Sequence, residues 1–349
     1  MEEVNTNEKY KILKDLVSFN TIKDKENSSI LNYVEEYLKS LGFKNVSKTK
    51  NLVMQIGENP VLGFLGHTDT VEYIDGWESM PHEMVIKDEK IYGLGVCDMK
   101  GGIAAMLDSL SEFDLNKIKS GMKLYLTYDE EIGFGGTYEL VDGKEIFPPN
   151  MIFGEPTNNK YLTGCKGLLE CEVYFNGKKA HSSNPDKGIS ANINAVKFLN
   201  ELNEFYENEI KVIKKEEFEV PYTTMNVGLI NGGSAKNSIP ANCYVAIDFR
   251  IADKKHIKLI KEKINELLNK YMGSLKIIEE INPFMSKVDY LEKQETASFM
   301  TEASLIECTN KIILGVGPVT AHEVNEYIEI SSYEKLVKQY KDLIEKLCM

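Results

Sequence analysis

The chain has 349 residues, a formal net charge of −13 and 42% hydrophobic residues, a composition typical of a globular protein. The acidic balance, without a lysine stripe carrying interleaved aromatic residues, argues against nucleic acid as a partner. No apolar stretch approaches the roughly 20 residues of a membrane helix, and the acidic opening Met1-Glu2-Glu3 differs from a signal peptide, so we expect a cytoplasmic protein without membrane contact.

Short apolar runs, bounded by Gly, Pro, Asn or Asp, dominate the first 165 residues together with two helical patterns. Such runs are typical of buried strands in a sheet covered by helices, and they are Leu52–Ile56, Val61–Leu65, Lys123–Thr127 and Met151–Phe153. Helical spacing over Ile30–Leu41 ends at Gly42, a residue that often follows a helix, and a second helix is predicted over Ile103–Phe113.

The pattern changes near residue 165. Two amphipathic helices, Ile189–Tyr206 and His256–Tyr271, alternate with four predicted strands, which are Leu168–Phe175, Tyr222–Ile230, Cys243–Phe249 and Leu275–Ile281. Their β-α-β-β-α-β order predicts a compact two-layer α+β unit. We expect His256, the first residue of its helix, to lie on the surface.

The alternation of predicted helices and strands seen in the first 165 residues resumes after residue 282. The sequence predicts a helix over Phe299–Cys308, a strand over Lys311–Val316 and a closing helix over Ser332–Leu347. We therefore predict an α/β fold with one domain formed by residues 1–165 and 282–349. Residues 166–281 form a second, inserted domain.

Six residues at predicted strand ends or in glycine-marked loops carry candidate metal chemistry. They supply two imidazoles and four carboxylates, and they are His67, Asp98, Glu130, Glu131, Glu155 and His322. This is the ligand set for a pair of divalent metals plus one spare base. Because sites in α/β sheets gather beyond the carboxyl ends of the strands, convergence of the six would make the chain a two-metal hydrolase.

The neighbours of these residues suggest their roles. His67 and Asp69 point to the same side of an extended segment, which suits an imidazole held by a carboxylate, although an ordinary loop histidine beside a turn aspartate has the same pattern. Glycines on both sides of Asp98 allow close approach, so this carboxylate could bridge two cations. Of the adjacent Glu130 and Glu131, one could bind metal while the other serves as a general base; solvated acids are the alternative.

The sequence lacks the motifs of single-helix zinc proteases and of enzymes with a serine nucleophile. His322 does not begin an HExxH motif, because the fifth position is Glu326, and no GxSxG motif predicts a covalent nucleophile. Cys97 could be a soft ligand, but a buried thiol is favoured, and the six cysteines occur singly, as in a reducing compartment. Arg250 is the one arginine among 41 basic residues, which favours a position that needs its planar fork over one set by codon bias.

Six motifs in fixed order carry a resemblance over residues 66–327: GHTDTV, GLGVCDMKGG, TYDEEIGFGG, FGEPT, GKKAHSS and AHEVNEY. The chain resembles the acetylornithine deacetylase / succinyl-diaminopimelate desuccinylase family of dizinc amidohydrolases, whose relatives include aminoacylases and carboxypeptidase G. The resemblance implies a mixed-sheet zinc-hydrolase catalytic domain with an inserted lid and dimerisation domain. It also implies a homodimer formed through the lid and two divalent ions, zinc or alternatively cobalt.

The resemblance further implies residue roles in the catalytic domain. His67, Asp98 and Glu155 are similar to the ligands of one zinc, and Asp98, Glu131 and His322 to those of the other, with Asp98 bridging. Glu130 is similar to the general base, and Asp69 to the partner that orients His67. The peptide between Asp98 and Met99 is expected to be cis.

Three residues of the inserted domain match lid positions. His181, which as an isolated turn histidine would be interpreted as structural, is similar to the residue that polarises the substrate carbonyl, often across a dimer interface. Asn237 and Arg250, which flank the strand Cys243–Phe249 at opposite ends, match positions that contact the substrate carboxylate.

The implied activity is removal of an N-acyl group from an amino acid, or cleavage of a short peptide. The acetylornithine type is favoured, with the succinyl-diaminopimelate desuccinylase and a dipeptidase or aminoacylase as alternatives. A succinylated, more anionic substrate would favour several cationic contacts, and beyond Arg250 none is identifiable. A non-catalytic binding protein is disfavoured because neither a ligand nor Glu130 is missing.

Overall fold

The computed structural model describes residues 9–22 and 27–349, and the acidic opening Met1-Glu2-Glu3 lies outside the described residues. The described chain forms two compact units. The first lies within Met1–Thr163, Ser286–Glu295 and Thr301–Met349, and the second comprises Gly164–Met285 and Thr296–Met300. In the part of the chain that is described, no helix combines the length and the apolar character needed to span a bilayer.

The α-helices of the described residues are α1 (Lys11–Ser18), α2 (Ser28–Ser40), α3 (Lys100–Ser111), α4 (Glu130–Gly133), α5 (Gly135–Asp142), α6 (Ala191–Phe205), α7 (Lys255–Tyr271) and α8 (Ile330–Cys348). The strands are β1 (Lys44–Lys48), β2 (Leu52–Ile56), β3 (Leu62–His67), β4 (Val85–Lys87), β5 (Lys90–Tyr92), β6 (Met122–Thr127), β7 (Asn150–Phe153), β8 (Leu162–Cys165), β9 (Gly167–Asn176), β10 (Thr224–Gly232), β11 (Asn242–Ile251), β12 (Gly273–Ile281), β13 (Phe284–Met285), β14 (Glu295–Ala297), β15 (Asn310–Ile313) and β16 (Tyr327–Glu329).

The first unit is built on a mixed sheet in which β1, β2, β6, β3, β7 and β15 lie side by side. β3 runs parallel to both β6 and β7, and β15 runs parallel to β7, whereas β2 is antiparallel to β6 and to β1. Every residue of β3 and β6 is buried, as expected for central strands covered on both faces. The predicted mixed-sheet α/β fold is therefore confirmed.

Helix α3 forms the centre of the helical layer in this unit. Almost all of its residues are buried, and it packs against the amphipathic helix α8. A Cβ atom on Gly102 would lie 2.3 Å from the carbonyl oxygen of Gly154, so only glycine lets the first turn of α3 come this close to the end of β7. The close approach brings the segment before α3 to the carboxyl edge of the sheet.

The second unit is a four-stranded antiparallel sheet in the order β10-β11-β9-β12, with α6 and α7 packed together on it. Burial alternates along β9 and β11, because one face of each strand meets the helices. Phe175, Phe198, Phe249 and Ile260 are among the fully buried residues of this core. The predicted β-α-β-β-α-β order is the observed one.

Two sequence-based expectations are wrong. The predicted helix over Phe299–Cys308 is reduced to a three-residue 3₁₀ turn, Glu302–Ser304, because the Thr301 hydroxyl accepts a hydrogen bond from the N–H of Ala303 and closes the turn locally. His256 is buried rather than on the surface. Its Nδ1 lies 2.8 Å from the hydroxyl of Thr223, so one of its two ring nitrogens has a polar partner in the interior.

Candidate metal centre

The six candidate residues all belong to the first unit, and the sheet explains why several of them meet. His67 is the last residue of β3, Glu130 and Glu131 begin α4 just after β6, and Glu155 follows β7 by one residue beyond Gly154. These three strands are parallel neighbours, so their carboxyl ends share one edge of the sheet.

The two imidazoles face the two oxygens of one carboxylate. Nε2 of His67 lies 3.1 Å from Oδ1 of Asp98, and Nε2 of His322 lies 3.6 Å from Oδ2 of the same residue. Nε2 of His322 also lies 3.1 Å from Oε2 of Glu131. Each oxygen of Asp98 therefore has one imidazole nitrogen near it. The peptide between Asp98 and Met99 is cis, as expected.

The other ring nitrogen of His67 has two neighbours on Asp69. Nδ1 lies 3.0 Å from the backbone carbonyl oxygen and 3.6 Å from the carboxylate Oδ1. Since a carbonyl oxygen can only accept, this contact places a proton on Nδ1, and Nε2 is the ring nitrogen that faces Asp98. The nearer partner is thus the carbonyl group rather than the predicted carboxylate.

Two sets of ligand atoms lie within 4.8 Å of one another among the described residues: one from His67, Asp98 and Glu131, the other from His67, Glu130 and Glu155. This grouping differs from the ligand sets implied by the resemblance, in which Glu155 accompanies Asp98 and Glu131 accompanies His322. The side chains nevertheless form one continuous cluster, because Asp98 contacts both imidazoles.

The electrostatics of the cluster favour a cation. Burial raises the pKa of Glu155 well above its ordinary value, and the charges of Asp98 and Glu130 raise it further. Oε1 of Glu155 is buried and has no hydrogen-bond partner among the described residues. Burial would lower the pKa of His67, but Asp69 and Asp98 raise it well above its ordinary value. Imidazoles and converging carboxylates with an unsatisfied buried oxygen therefore fit a pair of divalent metals.

Glu130 lies in the same group of ligand atoms as His67 and Glu155. Its carboxyl group faces His67, Glu131 and Asp98 but is not needed for the contacts of either imidazole with Asp98. Burial raises the pKa of Glu130 well above its ordinary value, opposed by His67 and reinforced by neighbouring carboxylates. A raised pKa brings a carboxylate toward the neutral range in which a general base is most effective.

Two buried glutamates near the cluster were missed by sequence reasoning. Glu302 accepts hydrogen bonds from the hydroxyls of Thr127 and Thr137, the residues that bracket the segment bearing Glu130 and Glu131. Burial raises the pKa of Glu302 to about 7. The sequence holds no signal for this residue, because its partners lie 165 and 175 positions away.

Glu326 is the other missed residue. Its carboxylate accepts hydrogen bonds from the backbone N–H groups of Gly95, Cys97 and Asp98. The signal in the sequence is its place in the AHEVNEY motif, where Glu326 is the residue that breaks an HExxH pattern. The adjacent Cys97 is a buried thiol, as favoured, and burial raises its pKa.

The second unit holds the three remaining candidates. His181 is exposed and pairs with Ser238 in an isolated bridge, while the carbonyl oxygen of Asn237 accepts a hydrogen bond of 3.0 Å from the N–H of Ser182, so His181 and Asn237 lie together. Arg250 lies at the other end of β11, and its guanidinium binds Asp248 through Nε at 3.1 Å and Nη2 at 3.0 Å.

Comparison with known proteins identifies relatives over nearly the whole chain. The M20 peptidase dimerisation domain matches residues 163–275. Acetylornithine deacetylase from Photorhabdus laumondii is 32% identical over 93% of this chain and 92% of its own length, and acetylornithine deacetylase from Proteus mirabilis is 30% identical over the same shares.

Solved structures share the fold. A tripeptidase from Staphylococcus aureus superposes with a TM-score of 0.80 at 22% identity, covering 97% of both chains. A dinuclear metal binding peptidase of the M20 family from Bacillus subtilis superposes with a TM-score of 0.71 at 11% identity, again covering 97% of both chains. With the full-length identity to the deacetylases and the cluster of imidazoles and carboxylates, these likenesses lead to one conclusion: the chain belongs to the M20 family, a family of hydrolases that act on amide bonds.

Proposed function

We propose that this protein is an acetylornithine deacetylase-type enzyme, which uses two divalent metal ions to remove the acetyl group from an N-acetylated amino acid. The observation that carries the proposal is the identity of 32% with an acetylornithine deacetylase over 93% of the chain. The intact set of imidazoles and carboxylates supports it, because loss of a ligand would be expected in a relative that only binds.

In this proposal His67, Asp98, Glu131, Glu155 and His322 hold the metal ions, and zinc is the expected metal, with cobalt as an alternative. When bound, the ions polarise the amide carbonyl and lower the pKa of water. Oε1 of Glu155, buried without a hydrogen-bond partner among the described residues, would gain its missing partner from a cation.

The remaining side chains of the proposed site transfer protons, orient His67 or bind charged groups of the substrate. Glu130 accepts the proton of the attacking water and later passes it to the leaving amine, which needs a carboxylate whose pKa is raised toward neutrality. Asp69 orients His67, and its carboxylate also accepts the N–H of Glu131. His181 donates to the developing oxyanion, and Arg250 and Asn237 bind the carboxylate of the substrate and so position the amide.

We assign metal chemistry to residues 1–165 and 282–349 and a lid and dimerisation role to residues 166–281. Two copies would associate through an apolar strip on the second unit. On α6, Ile193 and Val196 are 53% and 62% exposed, and on the edge strand β10, Leu229 and Ile230 are 59% and 61% exposed. The strip suits a second copy, because an exposed sheet edge with apolar side chains favours pairing with another chain.

We also propose that the protein is cytoplasmic, because its free cysteines, most of them buried, suit a reducing compartment.

The activity is tested by loading the protein with zinc or cobalt and assaying N-acetylornithine, N-succinyl-diaminopimelate and a panel of dipeptides side by side. We expect the highest kcat/KM for N-acetylornithine. A preference for the succinylated substrate or for dipeptides would replace the substrate assignment with one of these activities. Absence of metal-dependent hydrolysis of all three classes would contradict the proposed function itself.

A further inference from the structure

Glu326 is a buried carboxylate whose oxygens face backbone amides rather than a cation. It is 2% exposed. One oxygen accepts from the N–H of Cys97 at 2.7 Å and from that of Asp98 at 3.1 Å, and the other accepts from the N–H of Gly95 at 2.8 Å. The three backbone amides together fix the position of this carboxyl group.

Among residues 9–22 and 27–349, Glu326 forms no ion pair. The buried Lys100 donates a hydrogen bond of 2.8 Å to the carbonyl oxygen of Phe19, and its ammonium group interacts with Glu326 electrostatically only. The hydrogen-bond partners of the Glu326 carboxylate are therefore backbone groups of the turn that carries Asp98, and the side chain holds the shape of that turn.

The backbone on either side of Glu326 belongs to the turn that carries His322. Thr320 closes this turn, because its hydroxyl accepts from the N–H of Tyr327 at 3.0 Å and donates to the carbonyl oxygen of the same residue at 2.6 Å. The carbonyl oxygen of Glu326 also accepts from the N–H of Gly93 at 3.2 Å. One residue thus ties the turn bearing His322 to the turn bearing Asp98, although 228 positions separate Glu326 from Asp98.

We propose that Glu326 is a positioning residue that sets the separation of Asp98 and His322 in advance of metal binding. This inference rests on the proposed function, in which both residues are metal ligands. Side chains that orient ligands typically change metal affinity about 10- to 100-fold when they are replaced. Glu326 touches neither imidazole in the structure, so its effect passes through the backbone of the Asp98 turn.

The decisive variant is Glu326→Gln, which keeps the size of the side chain. A glutamine oxygen can still accept from Cys97 and Asp98, but its amide group then opposes the N–H of Gly95, so one of three hydrogen bonds is lost. Glu326→Ala loses all three. The matched control is Glu323→Gln, which removes the same charge from an exposed position in the same turn.

Zinc affinity of each purified full-length variant is measured by competition with a chromophoric chelator, and the melting temperature of the metal-free protein is recorded in parallel. We expect Glu326→Gln to weaken at least one of two zinc sites about 10-fold or more, Glu326→Ala to weaken it further, and Glu323→Gln to bind as the unsubstituted protein does. KM should change less than kcat.

Zinc affinity of Glu326→Gln equal to that of the unsubstituted protein would overturn the inference, even if its melting temperature fell, since that result describes a residue that only stabilises the fold. If the unsubstituted protein itself held no zinc pair, the proposed function would fail instead. The two failures are therefore distinguishable.

Discussion

The carboxylate of Asp69 accepts a hydrogen bond of 3.2 Å from the backbone N–H of Glu131. Asp69 therefore belongs to two parts of the centre at once, because its carbonyl oxygen also contacts Nδ1 of His67 at 3.0 Å. The side chain holds the turn of Glu130 and Glu131, whereas the backbone holds the imidazole.

Because the side chain of Asp69 holds the turn and its backbone holds His67, the effect of replacing the side chain can be predicted. In Asp69→Ala the carbonyl contact with His67 is retained, so we expect two metals per chain by elemental analysis and a fall in kcat of about 10- to 100-fold from the loosened acidic turn. Asp75→Ala, at an exposed position of the same loop, is the control. Loss of one metal in Asp69→Ala would mean that the carboxylate, not the carbonyl group, holds His67.

Substitution by glutamine should affect metal content differently at the adjacent residues Glu130 and Glu131. Glu130→Gln removes the proposed base, so turnover should fall by at least about 10²–10⁴-fold while two metals remain bound. Glu131→Gln weakens a proposed ligand that lies 3.1 Å from Nε2 of His322, so metal content should fall together with turnover. Normal turnover by Glu130→Gln would disprove its assignment as the base.

The single arginine allows a test of substrate binding. If the fork of Arg250 binds a substrate carboxylate, Arg250→Lys should raise KM about 10-fold with a smaller change in kcat, because lysine lacks the bidentate geometry. Asp248→Asn is the informative companion, since Asp248 holds both Nε and Nη2 of Arg250 in the structure. An unchanged KM in Arg250→Lys would leave the arginine with the structural pairing alone.

A buried carboxyl group away from the metal cluster predicts a pH dependence of stability. Burial raises the pKa of Asp108 from 3.8 to about 6, although the hydroxyl of Tyr333 donates to it at 2.6 Å. Between these values the folded protein holds a proton that the unfolded chain has released, so the contribution of Asp108 to stability falls as pH rises.

Asp108→Asn retains an acceptor for Tyr333 without the charge. Its free energy of unfolding should therefore exceed that of the unsubstituted protein by about 1–3 kcal/mol more at about pH 7.5 than at about pH 4. Urea denaturation at both pH values measures the difference, with Asp342→Asn as an exposed control on α8. A difference that is equal at the two pH values would contradict a raised pKa for Asp108.

The proposed dimer surface is tested by introducing charged residues and measuring the oligomeric state. Val196→Glu on α6 and Leu229→Glu on β10 place an acid on the exposed apolar strip, which should convert a dimer to a monomer in light scattering because a buried unpaired charge is costly. Leu259→Glu alters an exposed apolar residue of α7, outside the strip, and should leave the dimer intact. Persistence of the dimer in both strip variants would require another interface.

The accuracy of the sequence-based prediction depended on how local its evidence was. The strand predicted over Leu168–Phe175 is observed as Gly167–Asn176, because alternating burial leaves a pattern in consecutive residues. The apolar spacing of Phe299–Cys308 was misleading, because Thr301 caps a single turn there. Local hydrogen bonds of this kind compete with helix formation and leave little trace in hydrophobic spacing.

The candidate site was predicted to the extent that its residues follow strands or carry a motif. His67 and Glu155 could be found in this way, since each stands at the carboxyl end of an apolar run. Glu302 and Glu326 could not, because each acts on a segment more than 160 positions away. Their meaning depends on which distant backbone and hydroxyl groups the fold brings to them.

The route of the chain through its two units has a consequence for biosynthesis. The polypeptide leaves the first unit after Thr163 and returns to it at Ser286, with Thr296–Met300 again in the second unit, so His322 and Glu326 are translated only after the whole second unit. A ribosome-bound chain that stops short of residue 322 can offer His67, Asp98, Glu131 and Glu155 but never the second imidazole. Because a chain is synthesised from its amino terminus, the set of candidate metal ligands becomes complete only late in the synthesis of each molecule.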